Sequence, residues 1–304
     1  MPELPEVHTT VQGIIKKTKG LTIIDVWTDY GSAFNAGKNN IKNKKFFAVF
    51  KKAITGKKII GASRRGKNVL IHLSGAVTVL VHMKMTGHFL YGTYRKTKDR
   101  WVATEDGPLQ DPYNRFIRAV FTLSNGDHLA FSDLRKFGKI TFFRDIDREK
   151  IPDLLPLGPE PLDGFTLSDF KNRLQLRPRG KIKQVLMDQG IVAGIGNIYS
   201  DEILFQAGVH PLRAIASLTS REIELMYKAM RTILKKSIEV GGDSASDFRN
   251  IEGQRGGFQH RHKAYRQTGK PCTKGDCDGV IRRMKIGGRS AHFCDCHQKF
   301  PAPH

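Results

Sequence analysis

The sequence is short of acids. Its 29 aspartates and glutamates face 51 lysines and arginines in 304 residues, a formal net charge of +22. It has no apolar run near the roughly 18 residues that a membrane span requires. The longest, around 76–81, suits a buried strand. The start of the chain lacks the basic and apolar regions of a secretion signal, because Glu3 and Glu6 stand there. Cysteine is scarce too, with four residues, all between Cys272 and Cys296, so no disulfide framework spans the chain. These absences argue against a membrane protein and a secreted, disulfide-stapled scaffold. With 39% hydrophobic and 26% charged residues, wholesale disorder is also disfavoured. The expectation is a soluble, intracellular protein of two domains, or one large one. So large a positive excess calls for a polyanionic partner. Nucleic acid is preferred to a membrane surface, since no basic amphipathic helix stands out. A basic bias of the whole proteome is the blander reading.

Periodicity divides the chain. After an opening helix at 6–17, β-type runs occupy 22–28, 58–63, 68–73, 76–82, 119–123, 128–131 and 139–143. Ser124-Asn125-Gly126-Asp127 reads as a hairpin turn whose two central residues both tolerate positive φ. Many short strands predict a β-sandwich or barrel for 1–150. The polar stretch 91–113 reads as an inserted surface loop. A Pro/Gly-rich hinge covers 151–165. Helical spacing then returns at 167–174, 182–187, 198–206 and 220–240, giving a helical domain over 166–265 and a cysteine-bearing tail over 266–304.

In that tail, Cys272-x4-Cys277 and the Cys294-Asp295-Cys296-His297 run bracket sixteen residues, a zinc-site pattern. Cys272, Cys277, Cys294 and His297 are the preferred ligands of one structural Zn²⁺, with Cys296 the alternative to His297. The loop between the pairs carries Arg282, Arg283, Lys285 and Arg289 around Gly287-Gly288, a basic hairpin tip suited to phosphates. Upstream, Gly194-x-Gly196 opens a helix but is no dinucleotide fingerprint, because Tyr199 holds the third glycine position. What remains is a helix start with bare amides, open to anion binding or to plain packing. At the amino terminus, removal of Met1 would leave Pro2 with a free secondary amine, nucleophilic toward an aldehyde-like carbon, with Glu3 beside it as an acid.

Taken together, Pro2-Glu3-Leu4-Pro5-Glu6-Val7, Arg64-Arg65-Gly66-Lys67, Met85-Thr86-Gly87, Asp133-Leu134-Arg135-Lys136-Phe137-Gly138, Leu157-Gly158-Pro159-Glu160-Pro161-Leu162, the segment 194–202 and the cysteine tail occur in order along the whole chain. The set resembles the formamidopyrimidine-DNA glycosylase and endonuclease VIII family. The resemblance implies an α+β protein of two domains. An N-terminal β-sandwich with a flanking helix would precede a helix–two-turn–helix domain with a zinc-finger β-hairpin. It also implies a bifunctional enzyme of base excision repair. Such an enzyme excises oxidised purines (8-oxoguanine and formamidopyrimidines) from damaged double-stranded DNA and cleaves the abasic strand by β,δ-elimination. It would act as a monomer in the bacterial cytoplasm, at the nucleoid.

By position, Pro2 matches the Schiff-base nucleophile, Glu3 the general acid, Lys67 a lysine of proton transfer and phosphate contact, and Arg289 an arginine of δ-elimination. Lys183 and Asn197 match phosphate-binding positions. Met85, Arg135 and Phe137 match the wedge that fills the gap left by an extruded base. That role suits their chemistry, since extrusion costs a few kcal/mol and inserted side chains offset it. The bland alternative makes Met85 and Phe137 core residues and Lys67 a solvated charge.

The chain also departs from the family pattern. The first cysteine pair is spaced by four residues rather than two, and His297 stands at the last cysteine. Arg115-Phe116-Ile117-Arg118 replaces a His-x-His DNA contact, with Arg118 as the substitute cation, and 91–113 has no family counterpart. Two other functions compete: an endonuclease VIII-like enzyme for oxidised pyrimidines, and a non-catalytic zinc-finger DNA-binding protein. The segment 244–257 and the Met85, Arg135, Phe137 set resemble the purine type, and the Pro2-Glu3 pair argues against a mere binding module.

Overall fold

The computed structural model describes residues 1–98 and 100–300. The chain divides into two units, Met1–Leu155 with Val240–Gly257, and Pro156–Glu239 with Phe258–His304. The first unit contains α1 (Leu4–Thr18), β1 (Ile23–Thr28), α2 (Lys44–Ile54), β2 (Ile59–Arg65), β3 (Asn68–Leu73), β4 (Val77–His82), β5 (His88–Gly92), β6 (Tyr94–Lys96), β7 (Trp101–Ala103), β8 (Ile117–Leu123), β9 (His128–Ser132) and β10 (Lys139–Arg144). The second contains α3 (Leu167–Gln175), α4 (Ile182–Met187), α5 (Asn197–Ala207), α6 (Ser220–Glu239), β11 (Ile281–Ile286) and β12 (Arg289–Cys294).

Two antiparallel four-stranded sheets, β1-β8-β9-β5 and β10-β4-β3-β2, form the first unit. Their facing apolar residues share one core, with Val26, Phe121 and Phe131 from one sheet and Ile71, Val79 and Ile140 from the other. Helix α1 adds Val7, Val11 and Ile14 to that core, at the spacing that puts them on one helix face. Helix α2 falls in a stretch to which the sequence reading assigns no element. Lysine pairs at both ends hide its pattern, yet Asn43 caps it through Lys45 N–H (3.1 Å) and Phe50 and Ile54 are fully buried.

Two local expectations need correction. The stretch 91–113 is partly ordered structure: β6 and β7 form a hairpin, and Tyr94 and Leu109 are buried against Leu90, Val120 and Ala130. Those last three are outward-facing apolar residues of the first sheet, which require a cover. Trp101 completes it, with ring centroids 6.1 Å from Trp27 and 5.1 Å from His128. At the 124–127 turn only Gly126 takes a positive φ, 88°, and its N–H donates to the Leu123 carbonyl at 3.0 Å. The turn is therefore a three-residue loop closed by a left-handed glycine.

The helical domain expected over 166–265 is interrupted, because 240–257 belongs to the first unit. Its backbone explains why. Ile251 packs into the sandwich core while its carbonyl accepts the Tyr91 N–H at 2.7 Å. Arg249 Nε donates to Asp111 at 2.9 Å, and Asn114 Nδ2 donates to the Gly253 carbonyl at 3.3 Å.

In the second unit α5 is buried on nearly every side, and Ser200, Asp201 and Glu202 are buried with its apolar residues. The two turns between α4 and α5 are stitched by Gln189. Its Nε2 donates to the Met187 and Ile195 carbonyls at 2.9 and 2.7 Å, and its Oε1 accepts the Gly194 N–H at 2.9 Å. β11 and β12 pair from Ile281↔Cys294 to Ile286↔Arg289, with Gly287 and Gly288 at φ 54° and 77° as a two-residue turn demands.

Candidate active site and nucleic-acid interface

The first unit buries the start of the chain. Glu3 caps α1 in a reciprocal box with Glu6, and the Glu3 N–H donates to Glu6 Oε2 at 2.7 Å. The other oxygen, Oε1, accepts the Asp243 N–H at 2.8 Å. Gly242 makes this possible: its φ is 84°, and a Cβ there would sit 3.0 Å from Glu6 Cγ. Pro2, Glu3 and Glu6 are all buried. Burial holds the terminal amine, here that of Met1, below its ordinary value. Glu3 and Glu6 oppose that shift, and the positive charge of Lys67 adds to it. Lys67 is itself only 6% exposed. It sits in the β2–β3 turn directly after Gly66, whose φ of 56° fits the first central position of a type II′ turn. Pro2, Glu3 and Lys67 are thus brought into one electrostatic neighbourhood, and Lys67 is no solvated surface charge. Glu6 was missed by the sequence reading, although its place three residues after Glu3 is a capping-box signal.

Met85, Arg135 and Phe137 lie on two loops tied to each other. Thr86 Oγ1 donates to Asp133 Oδ1 and accepts the Arg135 N–H at 3.1 Å. Asp133 Oδ2 accepts Tyr30 Oη–H at 2.6 Å and the Gly138 N–H at 2.7 Å. Fully buried Asp133 therefore fixes both ends of the 133–138 loop, a role the sequence reading did not assign it. At the loop's apex Phe137 is 50% exposed, with the Arg135 guanidinium 4.5 Å from its ring centroid. Met85 is half-buried. The core reading fails for Phe137. Arg118 is used inside the unit: its NH1 pairs with Asp29 at 2.7 Å and its Nε donates to the Asp133 carbonyl at 3.1 Å. Arg118 thus braces the 133–138 loop from inside the unit.

In the second unit Lys183 also departs from expectation. It is fully buried, and its Nζ donates to the Asn197 carbonyl at 3.0 Å, Ser200 Oγ at 2.8 Å and Asp201 Oδ1 at 2.6 Å. Asp201 Oδ2 takes His292 Nδ1 at 2.7 Å, which pins β12 to α5. Lys183 is therefore an organiser of the α5 start, because a buried carboxylate without its cation would be strongly unfavourable. Asn197 opens α5, and its buried Oδ1 has no partner among the described residues. Glu202, the next residue after Asp201, accepts the N–H groups of Lys263, Ala264 and Tyr265 at 2.8 to 3.2 Å. Burial raises its carboxyl above the usual range, and those donors oppose the shift.

The finger hairpin exposes Arg283, Lys285 and Arg289, and its Gly287 abuts Gln184 of α4. Among the described residues, Cys272, Cys277 and Cys294 bring their sulfurs within 4.8 Å of one another, as do the ligand atoms of Cys294, Asp295 and Cys296. The Cys277 and Cys294 sulfurs are 3.7 Å apart. Zn–S bonds of about 2.3 Å give a tetrahedral edge of about 3.8 Å, so the thiols present fit zinc. His297 belongs to neither group. Its Nε2 donates to the Phe205 carbonyl at 2.9 Å and its ring packs on Phe205.

This geometry has close counterparts among known proteins. The formamidopyrimidine-DNA glycosylase N-terminal domain model matches residues 1–140, and the H2TH domain model of the same enzyme matches 157–249. The chain belongs to the formamidopyrimidine-DNA glycosylase family. The enzyme of that name from Carboxydothermus hydrogenoformans is 39% identical over 98% of this chain and 100% of its own. That from Pelotomaculum thermopropionicum is 36% identical over 98% and 99%. Among solved structures, the MutM (Fpg) protein of Thermus thermophilus superposes with a TM-score of 0.80 at 34% identity, covering 99% of this chain and 100% of its own. Lactococcus lactis Fpg, in complex with DNA containing an abasic site, gives 0.81 at 30%, covering 98% and 100%. Within this family fold, Lys183→Ala should act through stability. It leaves Asp201 buried without its ammonium, and urea unfolding should show a loss of about 3–5 kcal/mol. An unchanged midpoint would remove that organising role.

Proposed function

We propose that the chain is a bifunctional glycosylase and abasic-site lyase of base excision repair, acting on oxidised purines in double-stranded DNA. Family relatives support the substrate class: solved complexes carry carbocyclic 8-oxo-G, Fapy-dG and abasic-site DNA. The observation that carries the reading is the buried chain start, where an amine of lowered pKa lies beside Glu3 and feels the charge of Lys67. Once Met1 is removed, Pro2 offers a secondary amine in those surroundings. It attacks C1′ of the damaged nucleotide as the glycosidic bond breaks and the base leaves; the C1′–O4′ bond then opens with O4′ taking a proton, and the resulting iminium makes the sugar's C2′ proton acidic enough for elimination. Glu3 handles protons at the opening sugar, and Lys67 meets the neighbouring phosphate. Arg289 assists δ-elimination from the exposed hairpin, and Asn197 with the amides of the α5 start receives a phosphate. Damaged duplex is the partner of a single chain, which places the enzyme with the chromosome in the bacterial cytoplasm.

The finger would hold one structural zinc through Cys272, Cys277 and Cys294. Cys296 is proposed as the fourth ligand in place of His297, whose ring is turned to Phe205. Zinc, when bound, cross-links the two ends of the hairpin.

The nucleophile is tested by borohydride trapping on an 8-oxoguanine duplex. A covalent adduct should map to Pro2 and vanish in Pro2→Gly, and mapping to a lysine would refute the assignment. Because the attacking amine must be unprotonated, and Pro2 is buried beside the Met1 amine that burial holds low, trapping should set in below the usual α-amino range of about 7.7–8.0.

The wedge is tested by Met85→Ala and Phe137→Ala. Stacking is worth roughly 1–3 kcal/mol per base, so excision from duplex should fall by about one to two orders of magnitude. Cleavage of a preformed abasic site should suffer less, and equal losses on both substrates would remove the wedge role.

For the metal, one zinc per chain is expected by atomic absorption. It should be lost in Cys272→Ser, Cys294→Ser and Cys296→Ser but kept in His297→Ala. Retention in Cys296→Ser with loss in His297→Ala would restore His297.

A further inference from the structure

At the far end of the sandwich the first unit holds a groove of about 660 Å³ between α2, the β3–β4 turn and the end of β10. Its apolar wall includes Val49, Phe142 and Ile146, with Val49 58% and Ile146 87% exposed. Lys52, Lys57 and Arg144 line it too, and among the described residues no aspartate or glutamate does. Nearby acids are otherwise engaged: Asp145 accepts from Thr78 at 2.6 Å, and Asp147 pairs with Lys150 at 3.3 Å. Strand β3 runs from the Lys67 turn to the groove's edge, so the two lie roughly 20 Å apart at 3.3 Å per residue. The groove is therefore separate from the catalytic chain start, and nothing in the proposed chemistry uses it.

Exposed aliphatic side chains gathered in a concavity and ringed by one sign of charge mark an interaction site. We propose that this groove docks an acidic segment of another protein, with an apolar side chain seated between Val49 and Ile146 and carboxylates facing Lys52, Lys57 and Arg144. Charge selects this occupant. A second copy of a chain at +22 would be repelled, and a nucleic-acid backbone has no use for an aliphatic wall.

The test is fluorescence anisotropy of a fluorescein-labelled peptide of alternating aspartate and leucine ending in phenylalanine, added to the full chain. Saturable binding is expected, weakened about tenfold or more by Val49→Asp with Ile146→Asp, and likewise by Lys52→Glu with Arg144→Glu. Both pairs are at the surface, so thermal unfolding and cleavage of a lesion duplex should stay as in the parent chain. A peptide with serine for every leucine and phenylalanine should bind far more weakly. The proposal is overturned if the two peptides bind equally, if neither variant pair weakens binding, or if no binding is seen. It is equally overturned if the variants lose affinity for undamaged duplex, if they dissolve a dimer seen by sedimentation, or if anionic vesicles capture the chain while the peptide does not.

Discussion

The carboxylate of Glu6 joins the two ends of the first unit's sequence. One oxygen holds the Glu3 N–H at 2.7 Å and the other holds the Asp243 N–H at 2.8 Å, so residues 240 positions apart share one buried anion. The first bond fixes how α1 begins, and hence where Pro2 and Glu3 sit. The second brings 240–257 back to the sandwich after the whole of α3 to α6 has been made. Gly242 is required at the junction, since both its φ and the closeness of Glu6 exclude a side chain. An anion at a helix start is also favoured by the helix dipole, which offsets part of its burial.

The same device recurs. Asp133 accepts a tyrosine hydroxyl and the Gly138 amide to fix the loop that carries Arg135 and Phe137. Asp201 joins Lys183 to His292, and Glu202 gathers three consecutive amides. In each case a segment with little core of its own is fixed by charge-assisted hydrogen bonds, which are stronger than neutral ones. A chain with only 29 acids thus places several of them inside, where they organise loops and do not neutralise the basic surface. Positive charge is left for the exposed hairpin tip of Arg283, Lys285 and Arg289.

Where burial follows period, the sequence was informative. Strands β1 to β4 and β8 to β10 and helices α3 to α6 fall within a few residues of the expected runs, because each presents an apolar face to one core. Helix α2 escaped because its five-residue apolar run matches neither period cleanly. Segment 240–257 escaped because its attachment rests on backbone amides and single ion pairs, which leave no periodic trace. The site divides in the same way. Pro2, Glu3, Lys67 and Phe137 were picked from their motifs, and they lie at a buried chain start, a turn and an exposed apex. Lys183, Arg118 and His297 were read by position alone. Their partners, Asp201, Asp29 and the Phe205 carbonyl, lie 18, 89 and 92 residues away, beyond the reach of any local pattern.

The proposed wedge shows why these buried anions would matter to chemistry. A side chain that replaces an extruded base must resist being pushed back, so its loop has to be stiff before the DNA arrives. Phe137 alone cannot supply that stiffness, being half exposed at an apex where Lys136 holds a positive φ of 54°. The stiffness comes from Asp133, whose two oxygens tie the loop to Thr86 on the Met85 loop and to Tyr30 in the core. Burial and the Asp133 carboxylate both raise the Tyr30 phenol well above its ordinary value, so the hydroxyl remains a donor throughout the physiological range. The tyrosine end of that anchor therefore keeps its proton where the enzyme works. The proposed reaction, by contrast, needs an unprotonated amine, and burial at the chain start favours one.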